Sequence, residues 1–420
     1  MNHTKMDAIN QRIERITPQH MVVGIDIAKD THVAQVMNYR SQTLTKRHLS
    51  FSNTREGFEK LVCWMKEVDK TQVIVGMEPT GHYWFNLANW LLEQNIEVVL
   101  VNPVATHRNK ENRDNSPSKN DAKDAATIAD LVTRGCYTDY APHAPVFDQI
   151  KTAMSDREYW VKMATSLGNR IVRWIDLYFP EFRRAFREWN GERALATLRA
   201  FPLAVDLAGL EVGTILEGWR ECGMKRAGGM SGKAKAVELR RIAASSIGKA
   251  SSADEARRDI QRLLETYAMI QDTLAALQSE LETLLDKIPQ AQQLKSIGLG
   301  TITMASLLAY AGDLRHYAHG RQLLRRAGLN LAERTSGKHK GQIKLSKRGD
   351  SMLRKYLYLA MLHLVGQHPD FKAWHAQNQR NGMTKMKSLF KLIGKLARIV
   401  IGLIQRGEMY QSCSLEESAA

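Results

Sequence analysis

Two carboxylates set at strand-like apolar runs constrain this chain more than any other feature. The run "HMVVGIDIA" (His20–Ala28) is β-branched and apolar except for Asp26. A carboxylate there is costly unless it is paired. A second strand, "THVAQVM" (Thr31–Met37), follows one tight turn later, and "TKRHLSF" (Thr45–Phe51) reads as a third. "TREGFEKLVCWMKEV" has apolar spacing near 3.6 and predicts a helix. Strand "TQVIVGM", helix "HYWFNLANWLLEQ" and strand "EVVLVNP" come next, then a polar loop through Pro117 and a helix from Asp121. Glu78 stands just past the fourth strand, before Pro79.

Three strands in a meander, then a helix, then alternating strands and helices, is the order of an RNase H-like α/β fold. That topology places the first and fourth strands side by side, with the helix from Asp121 packed across them. In "KNDAKDAATIADL" (Lys119–Leu131), Asp121 and Asp124 are three residues apart and share one helical face. Helix capping is the simpler reading of such a pair, because acids in a first turn complement the helix dipole. A metal site is the other. Asp26, Glu78, Asp121 and Asp124 then converge, and two Mg²⁺ about 3.5–4 Å apart would suit them, positioning a nucleophile and stabilising the leaving oxygen of a phosphodiester. An oxygen-only site accepts Mn²⁺ as well.

The rest of the chain is helical. "REYWVKMATSLGNRIVRWIDLYF" carries an amphipathic stripe, and Ala253–Ile288 repeats apolar residues at heptad-like spacing, as a coiled-coil arm that is either an intramolecular hairpin or a dimer contact. Phe179–Pro202 is expected to be helical and Gly223–Ala236, rich in Gly and Lys, to be a mobile loop. Gly298 and Gly300 suit a helix–hairpin–helix-like turn that can aim N–H groups at a phosphate, or a plain turn that needs glycine for its backbone. The expected division is a metal domain over 18–145, a helical linker with insertion and arm over 146–292, and a basic domain over 293–420.

Charge separates these parts. Residues 1–150 hold 17 basic and 18 acidic side chains, residues 151–292 hold 22 and 19, and residues 293–420 hold 21 and 7. A near-neutral first part and a strongly basic last part suggest a polyanionic partner held at the C-terminal end. Four dispersed cysteines without CxxC or zinc spacing exclude a disulfide framework and fit a reducing cytoplasm. No apolar h-region follows Met1, and the apolar run Leu396–Ile404 is short and contains Arg398, so it reads as a buried helix rather than a membrane span.

"GIDIAKDTHVA", "MEPTGHYW" and "KNDAKDA" resemble the three acidic blocks of the DEDD transposases of bacterial insertion sequences, the group related to the Piv DNA invertase. Their metal domain is similar to the RuvC junction resolvase. "SIGLGTITMASLLAYAGD" and "AGLNLAERTSGKHKGQIKLSKRGDSMLRKYLY" resemble the second domain of the same group. The resemblance implies a recombinase that excises and inserts an element by DNA strand exchange, guided by an element-encoded bridge RNA that pairs with donor and target DNA. It carries the acidic tetrad to Asp26, Glu78, Asp121 and Asp124, and a serine that becomes covalently linked to DNA to Ser336, with Ser346 as the rival. Arg334, Lys338, Lys340, Lys344, Lys347 and Arg348 would then offset phosphate charge. A homodimer or higher assembly in the bacterial cytoplasm, near the nucleoid, is implied, since exchange cuts several strands in one complex. Residues 180–250 stand as an insertion relative to shorter members. Competing readings are a metal-dependent Holliday-junction-type nuclease without a serine adduct, an actin-like ATPase, and a non-catalytic nucleic-acid binder. The second lacks the glycines and repeated phosphate loop it would need, and the third gains nothing from four converging acids.

Overall fold

A computed structural model describes residues 3–109, 120–142, 144–332 and 344–412, with the chain dividing into two compact units at 142/143. The first unit opens with α1 (His3–Glu14). It is built on six strands: β1 (His20–Asp26), β2 (Thr31–Met37), β3 (Leu49–Ser52), β4 (Gln72–Met77), β5 (Glu97–Val101) and β6 (Tyr137–Asp139). Their order is β3-β2-β1-β4-β5-β6, with β1 antiparallel to β2 and parallel to β4. The first and fourth strands are therefore neighbours, as the element order predicts. Four helices complete the unit: α2 (Arg55–Lys66), α3 (Trp84–Glu93), α4 (Pro103–Asn109) and α5 (Asp121–Thr133). Thr54 caps α2 through its hydroxyl, which accepts from Gly57 N–H.

Strand alternation assigns each side chain of β1 to a face. Met21, Val23 and Ile25 join a cluster with Phe58 and Leu61 of α2 and Leu87 and Leu91 of α3. Val22 joins the opposite cluster with Ile128, Ala129 and Val132 of α5. Gly24 faces α5 too: a Cβ there would lie 2.1 Å from Ala125 O and 2.4 Å from Ala129 N. Its register partner Gly76, on β4, would meet Val132 Cγ2 at 2.5 Å. Two side-chain-free positions in register thus let the helix backbone rest directly on the sheet. Gly24→Ala is expected to push α5 outward and to cost about 1–3 kcal/mol in urea unfolding. An unchanged midpoint would show that the helix is not held at this distance.

The second unit is almost wholly helical. Two long helices, α6 (Pro145–Tyr178) and α12 (Ala253–Leu285), run antiparallel: Trp174 Nε1 donates to Ala256 O, while Phe147 and Ile150 pack with Leu281 and Leu284. The heptad-like segment thus pairs within the chain. Between them α7 (Phe182–Ala185), α8 (Glu192–Ala200), α9 (Ala204–Ala208), α10 (Val212–Glu221) and α11 (Gly229–Ala243) enclose a separate core around Phe179, Phe182 and Trp219. The expected loop over 223–236 is helical from Gly229. Within the helix Gly232 is a packing position, since a Cβ there would lie 2.0 Å from Ala227 O, and Ala236, Leu239 and Ile242 are buried.

The last part contains α13 (Gln290–Ser296), α14 (Thr301–Ala311), α15 (Gly320–Arg326), a two-stranded ribbon of β7 (Leu331–Ala332) and β8 (Lys344–Leu345), then α16 (Ser351–Gln367), α17 (Pro369–Arg380) and α18 (Lys385–Arg406). Buried Glu158 of α6 accepts from Lys355 Nζ at 2.8 Å and from the Tyr356 hydroxyl, tying α6 to α16. Burial and this contact push the Tyr356 phenol far up, and burial near Glu158 raises Tyr310 to about 12. Among the described residues no helix is long and apolar enough to cross a membrane.

Asp313, after α14, accepts from Gln290 Nε2 at 2.6 Å and from the Arg315 guanidinium at 2.7 Å. Burial alone would raise its pKa, but the Arg315 and Gln290 hydrogen bonds outweigh burial and hold it at about 2 against an ordinary 3.8. A lowered folded value means that this contribution is complete above about pH 4 and is lost as pH falls toward 2. At neutral pH, Asp313→Asn should unfold with on the order of 2 kcal/mol less stability. The gap to the parent should close between pH 4 and 2, and a pH-independent gap would contradict the ion-pair account.

Candidate functional site

The face assignment places the acids. Asp26 ends β1 on the same face as Val22 and Gly24, the face that α5 covers. Glu78 follows Met77, so it continues the Ile74–Gly76 face of β4 beside Asp26. The direction of α5 follows from its far end. Thr133 Oγ1 lies 2.6 Å from Ser41 Oγ, just past the C-terminal end of β2, and β2 is antiparallel to β1. The C-terminus of α5 therefore lies at the start of β1, and its first turn lies where β1 and β4 end. Asp26, Glu78, Asp121 and Asp124 are thereby set at the end of the sheet where β1 and β4 finish.

Asn120 performs the capping that the aspartates could have supplied, its Oδ1 accepting from Lys123 N–H at 2.7 Å. Asp121 is exposed and Asp124 is 5% exposed, within the first turn of α5. Glu78 is turned toward its own loop, with Oε1 accepting from Thr80 Oγ1 at 2.6 Å. In these rotamers no group of three or more His, Cys, Asp or Glu among the described residues is close enough to hold a metal ion. The backbone sets the four acids at one end of the sheet. Glu78 would have to leave Thr80, and the other acids would have to change rotamer as well, before the four could share a cation. The donor set is all oxygen, which fits a hard divalent cation.

The second element is the base of the β7–β8 ribbon. Ser336, Arg334, Lys338 and Lys340 lie outside the described residues; Lys344, Lys347 and Arg348 are exposed. Ser346 is half-buried, and its hydroxyl donates to Asn330 Oδ1 at 2.7 Å while accepting from Arg348 N–H at 3.3 Å. Its N–H donates to Asn330 O at 2.9 Å. Arg354, from α16, reaches back to Ala327 O at 2.9 Å. Gly328 (φ +66°) and Lys347 (φ +52°) both occupy the left-handed region, and a Cβ on Gly349 would lie 2.4 Å from Gly328 N. The two arms are thus clamped where the ribbon begins. Asn330 and Arg354 were not identifiable beforehand, because their partners are set by this tertiary closure.

Two family models match the sequence in chain order. A DEDD transposase family model of the IS110 type spans residues 23–180, and a model described as the transposase IS116/IS110/IS902 family spans 272–376. Together they cover more than half of the chain, which belongs to the IS110/IS116/IS902 transposase family. The helices α7–α11 fall between the two matched regions. The pilin gene-inverting protein of Moraxella lacunata is 32% identical over 87 residues, 20% of this chain and 26% of that protein. The transposase of insertion sequence element IS1111A from Coxiella burnetii is 31% identical over 146 residues, 33% of this chain and 40% of its own. That of IS1328 from Yersinia enterocolitica is 28% identical over 156, or 36% and 46%. The chain thus spans between a quarter and a half of the curated relatives it matches.

A structural role for Ser346 has a direct consequence. Ser346→Ala should cost about 0.5–1.5 kcal/mol of stability by removing the hydroxyl that bridges Asn330 Oδ1 and Arg348 N–H at the ribbon base. Ser346→Thr, which keeps the hydroxyl, should recover part of it. Equal unfolding midpoints for parent and Ser346→Ala would remove the clamp.

Proposed function

We propose that this protein is a DNA transposase that excises and inserts its element by strand exchange, combining an RNase H-like metal domain with a serine nucleophile. The single observation that supports this reading is that β1, β4 and the first turn of α5, which carry or adjoin Asp26, Glu78, Asp121 and Asp124, reach the same end of the sheet, in a chain matched by both family models. Those four acids would hold Mg²⁺ (or Mn²⁺), which supplies charge stabilisation at the leaving oxygen of the phosphodiester.

Ser336 is the nucleophile of this scheme. Its hydroxyl attacks phosphorus, forms an Oγ–P bond, and releases a DNA hydroxyl that can later reverse the step. Because a lone serine is weakly nucleophilic, the reaction needs a base to take its proton, which passes on to the leaving DNA oxygen, with any metal serving to lower the hydroxyl's pKa. The commitment of the Ser346 hydroxyl to Asn330 supports the choice of Ser336 over its rival. Exposed Lys344, Lys347 and Arg348 would neutralise phosphate beside it, with Arg334, Lys338 and Lys340. A bridge RNA encoded by the element would pair with donor and target DNA, and the complex would work as a homodimer or higher assembly in the bacterial cytoplasm, near the nucleoid.

The test is a covalent protein–DNA band on a denaturing gel. Ser336→Ala should abolish the band without weakening DNA binding. Asp124→Ala should abolish recombination while leaving thermal stability equal or higher, because a buried like charge has been removed. Normal recombination by Ser336→Ala would replace the serine scheme with metal-dependent hydrolysis of a junction.

A further inference from the structure

Between residues 314 and 406 the chain carries 20 Lys and Arg against three acids. One of the three, Asp350, caps α16 by accepting from Met352 and Leu353 N–H, and another, Asp370, is buried against the Tyr410 hydroxyl. Part of this excess lies along α18. α18 contains no acid over its 22 residues, and its apolar side buries Leu389, Leu392, Ile393, Leu396, Val400 and Ile401. Its solvent side presents Lys387, Lys391 and Arg398 over twelve residues, about 16 Å of helix.

α15 extends this stripe. A Cβ on Gly320 would lie 2.6 Å from Ala397 C and Arg398 N, so α15 starts against the α18 backbone at that point. Arg321 and Arg325 are exposed on this helix, which starts against α18 at Arg398 and leads into the base of the β7–β8 ribbon. Among the described residues, none of Arg321, Arg325, Lys387, Lys391 and Arg398 forms an ion pair with a carboxylate. Lys391 is instead steadied by Asn378 Oδ1 at 3.1 Å, and Arg398 by Gly394 O at 3.2 Å.

We infer that the α15–α18 surface is a docking track for the phosphate backbone of duplex DNA, distinct from the cations of the serine loop. Surfaces that hold single strands interleave aromatic side chains for base stacking. This track offers none: Phe390, the one aromatic of α18, stacks on Tyr358, and Lys395 covers Trp374 at 3.0 Å. A surface row of cations without stacking partners instead fits a rigid, regularly charged duplex, where contacts with phosphate position the protein without reading bases. The choice of DNA as that duplex rests on the recombinase reading above.

The experiment measures affinity for a 30-base-pair DNA duplex against salt, by fluorescence anisotropy. The full chain is compared with two double variants, Lys387→Gln with Lys391→Gln and Arg321→Gln with Arg398→Gln. Each should flatten the log–log slope by nearly 2, at about 0.9 per lost contact. Combined, the four changes should remove on the order of 100-fold of the salt-driven loss between 50 and 200 mM. Lys162→Gln with Arg173→Gln, exposed on α6, removes the same charge elsewhere and should leave the slope unchanged. An unaltered slope in both track variants overturns the proposal. So does equal flattening by the α6 control, or an effect confined to an RNA duplex or to single-stranded DNA. The covalent band is read in the same preparations. Its absence from the parent protein, with the slope changes intact, would contradict the serine recombinase and leave the track in place.

Discussion

The seating of α5 on the sheet is the contact on which the candidate centre depends. A helix normally stands about 10 Å from a sheet because side chains fill the gap. Here Gly24 and Gly76, paired in register on adjacent parallel strands, remove those side chains at the middle of the interface. The Ala125 carbonyl and the Ala129 amide come down onto β1, and the first turn of α5 is carried to the level where β1 and β4 end. The acids are a consequence of this geometry. Asp26 lies two residues beyond Gly24 and Glu78 two beyond Gly76, so each glycine and its acid share a face. The positions that admit the helix thus lie on the same strands as the acids, two residues before each of them.

The second unit uses a different device for a similar end. Its helical core ties α6 to α16 through Glu158, Lys355 and Tyr356, and holds the ribbon base with Asn330, Ser346 and Arg354. Both sets of contacts fix the points from which the basic segment departs. Exposed cations then need little local structure, since attraction to phosphate is long-ranged and tolerant of geometry.

Much of this was legible from residues alone, for identifiable reasons. β1, β2, β4 and β5 were readable because each is a short β-branched run with a turn signal beside it. α2 and α3 were readable from their 3.6 spacing, and the start of α5 from the acid pair. β6 was not, because three residues such as Tyr137–Asp139 carry no period and become a strand only by pairing with β5. α11 was masked by Gly and Lys composition, although Gly232 is a close-packing position rather than a hinge. The candidate acids were found as outliers in apolar runs, but which face they share needed the register. The Ser346 clamp and the Glu158 cluster were invisible, since Glu158 and Tyr356 are 198 residues apart and nothing local to either announces the other.

The central claim is that four acids on three separate elements act as one divalent-cation site. Calorimetric titration of Mn²⁺ into the full chain, compared with Asp26→Asn and Glu78→Gln, addresses it without any DNA. The parent should bind about two ions. Each single substitution, on a different strand, should weaken or abolish that binding while the unfolding midpoint holds. Undiminished Mn²⁺ binding in both variants would contradict the account, since the strands would then not be contributing to a common site.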